Sequence, residues 1–527
     1  MSKSIPTELK KILVRNRIRT EFPPEALEEV HAIEKNPGLD DGDLRDLTHL
    51  AFVTIDNQDS KDLDQAMYLE KDGKGYVVYY ALADASYYVR PGSALFAEAL
   101  KRGASFYLPG LSIPMLPRRL SEGLVSLNPD VDRRALVFIM NLDEQGSVKS
   151  TNIVRAKIHS VAKLTYSGVQ LLFDSPNASP LVSQTYTSSL MLLRQVGNLR
   201  LSEARHRDVV RYNREETEVE YIDNADWVIT TRQRLDVDSW NEQISLMCNS
   251  EGAAILAKDT DDEKAQAIYR IHEPPEPQSL KRLQMVLESL AKEHGLDPKV
   301  WCWNPGAKSL AHFLEDLPDS PSFKRINEVV QRQALLVNHR SVYSAEPGMH
   351  YALGVTPYAR FSSPMREIVG IFTHKEALEK LHLVQYSQDA IQDEELRKKI
   401  IQAANQAKEL QRRLTKDVMK LALDVLWKKD LRLPWPQRPE RKATIMGISH
   451  TRMYVRLDQP PADMKIYLEN LSRTTNKNLV QSDDGVKLVD STDGTTCFRI
   501  GDELLVKVDS YDRKRRRWHI VPVEQSI

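Results

Sequence analysis

Residues 52–67, with the sequence FVTIDNQDSKDLDQAM, form the most informative stretch of this chain. The stretch opens with apolar and β-branched residues, which predict a buried strand. Asp56 follows at the end of that strand, and Asp62 and Asp64 come after a polar loop. If Asp62 and Asp64 lie in extended chain, both carboxylates point to the same side, because successive side chains alternate between the two faces of a strand. A loop that folds back then brings Asp56 to them.

Three neighbouring carboxylates predict a metal site. In a low dielectric they repel one another strongly, so a cluster requires a cation or bound protons. A ligand set made only of oxygen atoms suits Mg²⁺ or Mn²⁺, ions that commonly act on phosphate substrates. The alternative interpretation is an ordinary Asp-rich turn, whose side chains are solvated or cap the next helix.

Length, charge and cysteine content set limits on the class of protein. A chain of 527 residues predicts two or three domains with a large core. Lys plus Arg number 73 and Asp plus Glu 74, so net charge alone selects no partner. Three widely separated cysteines, Cys248, Cys302 and Cys497, indicate reduced thiols and a cytoplasmic protein. The absence of an apolar leader and of any apolar run of about 18 residues predicts no signal peptide and no membrane span.

Two further motifs accompany the acidic stretch. Residues 105–117 contain SFYLPG followed by IPMLP, and residues 358–366 read YARFSSPMR. Together with TID, five residues and DLDQA at 54–66, these motifs resemble the ribonuclease II / ribonuclease R family, whose catalytic unit is the RNB domain. The resemblance implies a metal-dependent, hydrolytic 3′-to-5′ exoribonuclease. Such an enzyme acts on the 3′ end of single-stranded RNA and releases nucleoside 5′-monophosphates.

The resemblance also implies roles for residues of the acidic site. Asp56 and Asp62 correspond to metal ligands, and Asp64 corresponds to the catalytic aspartate, which holds a metal ion or orients the attacking water. Arg366 corresponds to the arginine that contacts the scissile phosphate. Arginine suits this role because its charge is permanent and its fork matches two phosphate oxygens.

Gln65 is a departure from the family pattern, which has a fourth aspartate at this position. A glutamine carbonyl can still bind Mg²⁺, but one compensating negative charge is lost. Two hypotheses follow: an active exoribonuclease with a weaker metal demand and a preference for Mn²⁺, or an RNA-binding RNB protein with weak or lost nuclease activity. Three remaining acids and Arg366 favour the first hypothesis.

The resemblance places three RNA-binding residues. Tyr107 and Tyr212 fall where aromatic rings stack on the terminal bases, and stacking grips single strands of any sequence. Glu242 falls where the family contacts a ribose, and the 2′-hydroxyl distinguishes RNA from DNA. Ordinary packing is the alternative for Tyr212. RNA is the only partner predicted, with no membrane and no obligate protein partner.

The predicted fold class is α+β with three parts. Residues 1–45 form a short helical region, too short for the two cold-shock modules usual in the family, and residues 46–432 form the mixed RNB catalytic domain. Residues 440–525 form an OB-type β-barrel of the S1 RNA-binding type. Arg412, Arg413 and Lys416 lie on a long charged helix, for which a solvated face is the usual interpretation and RNA contact the alternative. The five strands predicted for the barrel are 443–448, 453–457, 465–468, 503–508 and 517–521.

Overall fold

The structure is a computed structural model. Helices and strands both contribute extensively to it, which confirms the predicted α+β class. In the part of the chain that is described, no helix combines the length and the apolar character needed to cross a membrane. The described residues are 6–207, 209–210, 216–222, 226–258, 265–385 and 390–523.

Two helices precede the first strand, α1 (Thr7–Arg15) and α2 (Pro24–Lys35). The buried residues of α1 are Leu9, Ile12 and Leu13, whose spacing of three and one places them on a single face. The opposite face of α1 carries charged residues. The N-terminal region is therefore amphipathic and docks onto the rest of the molecule through a narrow apolar stripe.

The stretch 52–67 belongs to a six-stranded sheet between residues 45 and 165. The elements of this part are, in chain order, β1 (Arg45–Asp46), β2 (Phe52–Asp56), β3 (Gln65–Asp72), β4 (Gly75–Ala83), α3 (Ala85–Tyr88), α4 (Ala94–Arg102), β5 (Phe106–Leu108), β6 (Leu111–Ile113), β7 (Asp132–Leu142) and β8 (Val148–Thr165).

The strand order in this sheet is β1-β8-β2-β3-β4-β7. Strand β7 also pairs with β8, so that five strands close into a ring. Within the ring β2 and β8 are parallel, and the other neighbouring pairs are antiparallel. Because β2 and β8 run in the same direction, their carboxyl ends meet at one edge of the sheet, where Asp56 pairs with Thr165.

A largely helical part follows and covers the sheet. Helix packing is close here: a Cβ added at Gly197 would lie 2.5 Å from the Trp240 side chain, so this crossing requires glycine. The elements are α5 (Tyr166–Asp174), α6 (Thr187–His206), β9 (Glu216–Ile222), β10 (Asp226–Arg232), α7 (Asp236–Ala257), β11 (Tyr269–Ile271), α8 (Pro277–Glu293), α9 (Pro298–Trp301), α10 (Leu310–Glu315), α11 (Lys324–Leu336), β12 (Val342–Ser344), α12 (Ile368–Lys380) and α13 (Ala390–Leu431).

The C-terminal part is rich in strands, as expected for an OB-type module. All five predicted strands are present and form one antiparallel sheet, in which their spatial order is third, second, first, fourth and fifth. Three short strands and a helix that the sequence did not predict lie between them. The elements are β13 (Arg441–Ser449), β14 (Arg452–Leu457), β15 (Ala462–Tyr467), α14 (Leu468–Thr475), β16 (Leu479–Gln481), β17 (Lys487–Asp490), β18 (Thr496–Arg499), β19 (Glu503–Asp512) and β20 (Arg517–Pro522).

Helix α13 connects the catalytic part of the molecule to this module. It contains 42 residues, which corresponds to about 63 Å at 1.5 Å per residue. Near its middle Lys408 pairs with Glu367 at 3.0 Å, and near its end Asp430 pairs with Arg441 at 2.6 Å. Asp424 accepts a hydrogen bond from Trp518 of β20 at 2.6 Å. One helix is therefore anchored at both parts.

Candidate active site

The candidate site begins at the carboxyl ends of β2 and β8. Asp56 is the last residue of β2, and Lys163, near the end of β8, donates a hydrogen bond to the carbonyl of Gln58 at 2.8 Å. The same ammonium group also donates to the carbonyl of Ser60. Lys163 therefore ties the start of the loop 57–64 to the parallel strand that lies beside Asp56.

The rest of the loop 57–64 is fixed by Ser126. The Ser126 hydroxyl accepts from the backbone N–H of Leu63 at 2.9 Å and donates to the carbonyl of Lys61 at 2.7 Å. The Leu63 side chain is buried, and its carbonyl accepts from the N–H of Leu127 at 3.0 Å. These bonds hold the backbone on both sides of Leu63, and so they position Asp62 and Asp64.

Asp64 is fully buried and bound on both carboxylate oxygens. Its Oδ1 accepts from the backbone N–H of Met365 at 2.8 Å, and its Oδ2 accepts from Nε of Arg366. The Arg366 side chain is 35% exposed. Within the described part of the chain its two terminal nitrogens donate no hydrogen bond to protein. Asp64 therefore holds the guanidinium by one edge and leaves the other edge available to an anion.

The segment that carries Arg366 is anchored to helix α7 through Asn249. The buried Asn249 amide accepts from the N–H groups of Phe361 and Ser362 at 2.7 and 3.0 Å. It also donates to the hydroxyls of Tyr358 and Ser362 at 3.0 and 3.1 Å. Since every polar atom of this amide is used, the segment 358–362 has one well-determined position.

Tyr107 lies on a two-stranded hairpin, β5–β6, next to Arg366. Backbone bonds join the hairpin to the arginine segment: Ser105 N–H donates to the Arg366 carbonyl at 2.9 Å, and Ile368 N–H donates to the Gly103 carbonyl at 3.0 Å. The Tyr107 side chain is 45% exposed, and its hydroxyl donates to Asp62. The structure thus brings Asp56, Asp62, Asp64, Tyr107 and Arg366 to one place.

Electrostatics at the site favour a bound cation. Burial raises the pKa of Asp56 to about 7; Arg366 opposes this shift, whereas the neighbouring charges of Asp64 and Asp62 add to it. Burial likewise raises the pKa of Asp64 to about 6, against the opposing effects of Arg366 and the Met365 N–H. Carboxylates that are costly to ionise together are stabilised by a divalent cation, so the chemistry of this donor set fits Mg²⁺ or Mn²⁺.

Gln65 faces the arginine segment from the start of β3. Its amide nitrogen donates to the backbone carbonyl of Ser362. This bond fixes the orientation of the side-chain amide, and within the described residues Oε1 accepts no hydrogen bond from protein. Gln65 therefore acts as a tether between β3 and the segment that carries Arg366, while its carbonyl oxygen stays available as a neutral ligand.

The aspartates are not arranged as a closed cage in this conformation. Among the described residues, the only three acidic side chains with ligand atoms within 4.8 Å of one another are Glu376, Glu379 and Asp393. That buried group surrounds the ammonium of Lys375, at 2.7, 2.8 and 2.9 Å, so a cation already occupies it. At the candidate site Asp62 and Asp64 pair with Tyr107 and Arg366, and these side chains would have to rearrange to bind an ion.

The predicted RNA-binding residues have different outcomes. Glu242 lies on α7 with 45% of its side chain exposed and forms an ion pair with Arg234. Arg232 lies over the ring of Tyr166 at 5.6 Å. Burial raises the pKa of Tyr166, and the nearby charge of Asp56 adds to this shift. Both arginines line a cavity of about 830 Å³ between the β9–β10 hairpin, α11 and the C-terminal module. Tyr212 lies outside the described residues.

Comparison with known proteins identifies the family. A family model described as RNB domain matches residues 44–382, more than half of the chain. The chain belongs to the RNB domain family. The ribonuclease R of Vibrio cholerae is 32% identical over 365 residues, which are 68% of this chain and 43% of that protein. The ribonuclease R of Escherichia coli is 33% identical over 337 residues, 63% of this chain and 39% of that protein.

This RNB chain therefore spans about two fifths of the length of these curated relatives. A solved structure of Mycoplasma genitalium RNase R in complex with ribose-methylated single-stranded RNA superposes with a TM-score of 0.86. The two chains are 23% identical, and the superposition covers 98% of this chain and 77% of the other. This likeness shows that nearly the whole of the present chain shares the fold of that RNase R chain.

Several residues that build the candidate site carry no local sequence signal. Lys163, Ser126 and Asn249 act by binding backbone atoms of segments far away in the chain. A lone lysine, serine or asparagine in a strand, loop or helix is common, so spacing could not single them out. Arg234 follows the β9–β10 hairpin, and only the structure shows its ion pair with Glu242.

His374 of α12 gives a testable pH dependence. Its Nε2 lies 2.9 Å from the Phe361 carbonyl, and burial lowers its pKa to about 4, with that carbonyl opposing the shift. The unfolded chain binds a proton near pH 6.5, so this group destabilises the fold as the pH falls from 6.5 towards 4. In that interval the free energy of unfolding of the unaltered protein should fall by about 1.4 kcal/mol per pH unit because of this histidine. His374→Gln is expected to abolish this contribution. Thermal midpoints of both proteins at a series of pH values measure the difference.

The exposed His450 provides the control for this measurement. His450→Gln is expected to leave the pH dependence of the midpoint as it is in the unaltered protein. A His374→Gln variant whose midpoint differs from the unaltered protein by the same amount at pH 7 and at pH 4.5 would contradict the buried, neutral state of His374.

Proposed function

We propose that this protein is a 3′-to-5′ hydrolytic exoribonuclease that acts on single-stranded RNA and releases nucleoside 5′-monophosphates. The observation that carries the proposal is the meeting of Asp56, Asp62 and Asp64 with Arg366 at one edge of an RNB sheet. The ribonuclease R relatives support the reaction, and the RNA bound in the superposed structure supports the substrate.

The metal-binding part of the proposal rests on the acidic residues. Asp56, Asp62 and Asp64, with Oε1 of Gln65, would hold Mg²⁺ or Mn²⁺. When bound, such an ion supplies Lewis acidity and lowers the pKa of the attacking water. The neutral Gln65 leaves one negative charge fewer than four aspartates would give, so we expect a higher metal concentration to be needed.

The protein's own contribution to the reaction centres on Arg366. Hydrolysis places additional negative charge on the phosphoryl oxygens, and donors aimed at developing charge contribute most to catalysis. Asp64 binds Nε of Arg366 and so turns the two terminal nitrogens away from itself. The Asn249 anchor and the Gln65 tether keep the backbone of the arginine segment in place. The backbone that carries the arginine is thus positioned before RNA binds, whereas the Arg366 side chain and Asp64 would rearrange when an ion binds.

Recognition of the RNA end is assigned to aromatic and polar residues around the site. The exposed ring of Tyr107 offers a stacking face for a terminal base, and Tyr212 is proposed as its counterpart from the sequence resemblance. Glu242 is proposed to accept a hydrogen bond from a ribose hydroxyl, and Arg234 holds its carboxylate in position. Arg234 also lines the cavity of about 830 Å³, whose lining contains five cations and five acids.

We also propose the division of the chain into three functional parts. Residues 1–45 form the N-terminal region, residues 46–432 the catalytic domain and residues 440–525 an S1-type RNA-binding module. The linker at residues 433–439, which contains three prolines, supports the second boundary. We assign the protein to the cytoplasm, and its three free cysteines support that assignment.

The activity is tested with RNA labelled at its 5′ end and with a DNA oligomer of matched sequence. In the presence of Mg²⁺ or Mn²⁺, we expect the RNA to shorten step by step and to release nucleoside 5′-monophosphates, and the DNA to resist. EDTA should prevent the reaction. A gel shift without shortening, with either ion, would instead identify an RNA-binding RNB protein that has lost activity through Gln65.

Tyr107 is tested with two substitutions that separate its ring from its hydroxyl. Tyr107→Ala removes the stacking face and is expected to change the length of the final product, because a stacked base contributes about 1–3 kcal/mol. Tyr107→Phe keeps the ring and loses only the hydrogen bond to Asp62, so the product ladder should be retained. Denaturing gels of the end products measure both. The same ladder from Tyr107→Ala as from the unaltered protein would count against the stacking role.

A further inference from the structure

The N-terminal helix carries a cluster of exposed positive charges. Between residues 8 and 19 there are five cations and one acid, Glu8. Three of the cations, Lys10, Lys11 and Arg17, are exposed, and the described part of the chain offers none of them an ion-pair partner. The remaining two are neutralised: Arg15 pairs with Asp417 at 2.5 Å, and Arg19 lies 3.8 Å from Glu98.

Helix α13 extends this positive surface. Asp417 of α13 pairs with Arg15, and it accepts a hydrogen bond from Asn16 at 3.1 Å, so the end of α1 is docked at this point. Within one turn of Asp417, Arg413, Lys416 and Lys420 are exposed and form no ion pair within 4.0 Å among the described residues. Arg413 lies near enough to Glu409 for its charge to help to lower the pKa of that carboxyl, after the larger effect of Arg412. We call the six residues without a close ion pair, Lys10, Lys11, Arg17, Arg413, Lys416 and Lys420, the basic N-terminal surface.

Helix α1, which carries part of this surface, packs behind the hairpin that carries Tyr107. The buried face of α1 packs in one apolar cluster with Phe106 and Leu108 of β5 and with Leu414 of α13. Neighbouring residues of a strand point to opposite faces, so Tyr107 projects away from α1 and towards Asp62. Helix α1 and the hairpin therefore lie between the exposed Lys10 and Lys11 and the candidate active site.

We propose that the basic N-terminal surface binds the phosphate backbone of the RNA on the 5′ side of the nucleotides in the active site. The inference rests on the proposed function and adds a second contact for the same substrate. Six exposed cations that form no close ion pair complement a polyphosphate chain. A protein partner is disfavoured because docking interfaces need an apolar centre, and within residues 7–19 Val14 is the only largely exposed apolar side chain.

The test compares two triple variants that each remove two lysines and one arginine. The first is Lys10→Ala, Lys11→Ala, Arg17→Gly; glycine is chosen because Arg17 has a φ of 54°, which glycine adopts without strain. The control is Lys281→Ala, Arg282→Ala, Lys299→Ala, whose side chains are exposed on α8 and α9. These helices belong to the cluster that contains the C-terminal strands, away from α1.

Binding is measured by fluorescence anisotropy in EDTA over a range of salt concentrations, with single-stranded RNAs of about 30 and about 6 nucleotides. For the longer RNA, the first variant is expected to bind about ten-fold more weakly than the unaltered protein. The slope of log Kd against log salt should fall by about 2, since each phosphate contact contributes about 0.7 on single strands. The short RNA should bind equally well to both variants.

Two outcomes would overturn the proposal. One is a Kd and a salt slope for the longer RNA that match those of the control variant, and the other is an equal loss of affinity for both RNA lengths. Shortening of the short RNA by the unaltered protein with Mg²⁺ or Mn²⁺ is scored separately. Failure of that reaction alone rejects the exoribonuclease proposal, whereas anisotropy still decides whether the surface binds RNA. A protein that binds neither RNA in EDTA rejects the proposed surface, and one that also fails to shorten the short RNA with either ion rejects both proposals.

Discussion

Asp64→Asn is expected to abolish the shortening of RNA, by at least about 10²–10³-fold, while RNA binding is retained. Asparagine keeps an oxygen that can accept from the Met365 N–H, but its amide group would face the Arg366 guanidinium with a second donor. The arginine then loses its partner, and the site loses a negative charge that a metal ion needs. The rate is measured with excess enzyme on labelled RNA, and the affinity by anisotropy.

The matched control for this substitution is Asp59→Asn. Asp59 lies in the same loop, is exposed, and undergoes the same change of charge and shape. We expect its rate to equal that of the unaltered protein. RNA affinity should not fall in Asp64→Asn, because removing a negative charge does not weaken contact with a polyanion. If Asp64→Asn trims RNA at the normal rate, the role given to Asp64 is wrong.

Arg366→Lys is the second substitution with a large expected effect. Lysine keeps the positive charge, but it has no planar fork that can bind Asp64 along one edge and phosphate oxygens along the other. We expect the rate constant for hydrolysis to fall by about 10²–10³-fold, the usual cost of removing one donor from a developing negative charge. Single-turnover rates at saturating enzyme measure this step without a contribution from binding.

Arg45→Lys serves as the control for the arginine substitution, since Arg45 is exposed on the edge strand β1. Its rate should be unchanged. The Arg366→Lys variant is also expected to retain most of its affinity for RNA, because its charge remains. A normal rate with reduced affinity would show that Arg366 only binds the substrate and does not act on the phosphate during hydrolysis.

The main elements of the site could be predicted because their residues occur in compact motifs. In the stretch 52–67, apolar and β-branched residues indicate the strand, and the spacing of the aspartates indicates a carboxylate cluster. Arg366 lies within a recognisable motif. The structure brings these motifs together across about three hundred residues, as the resemblance implied. The pairing of Asp56 with Thr165 could not be read from the sequence, because parallel strands are joined through a long crossover.

Other features were missed for equally physical reasons. Strands β16, β17 and β18 have three or four residues each and are separated by turns rich in Asp, Ser, Thr and Gly. In segments this short, the alternation of apolar and polar residues that indicates a strand cannot be recognised. The buried group around Lys375 was missed because Glu376 and Glu379 look like an ordinary charged helix face until tertiary packing covers them. Both the three short strands and the buried group around Lys375 form through tertiary packing, which local sequence patterns do not show.

The length of α13 has a consequence for how this protein can change over time. Because its two anchoring regions, at Lys408 and at Asp430, lie on one continuous helix, they keep a fixed angular phase. Insertion of a single residue between them would rotate one relative to the other by about 100° and translate it by about 1.5 Å. Viable length variants should therefore come in steps of about seven residues, which restore the phase after two turns.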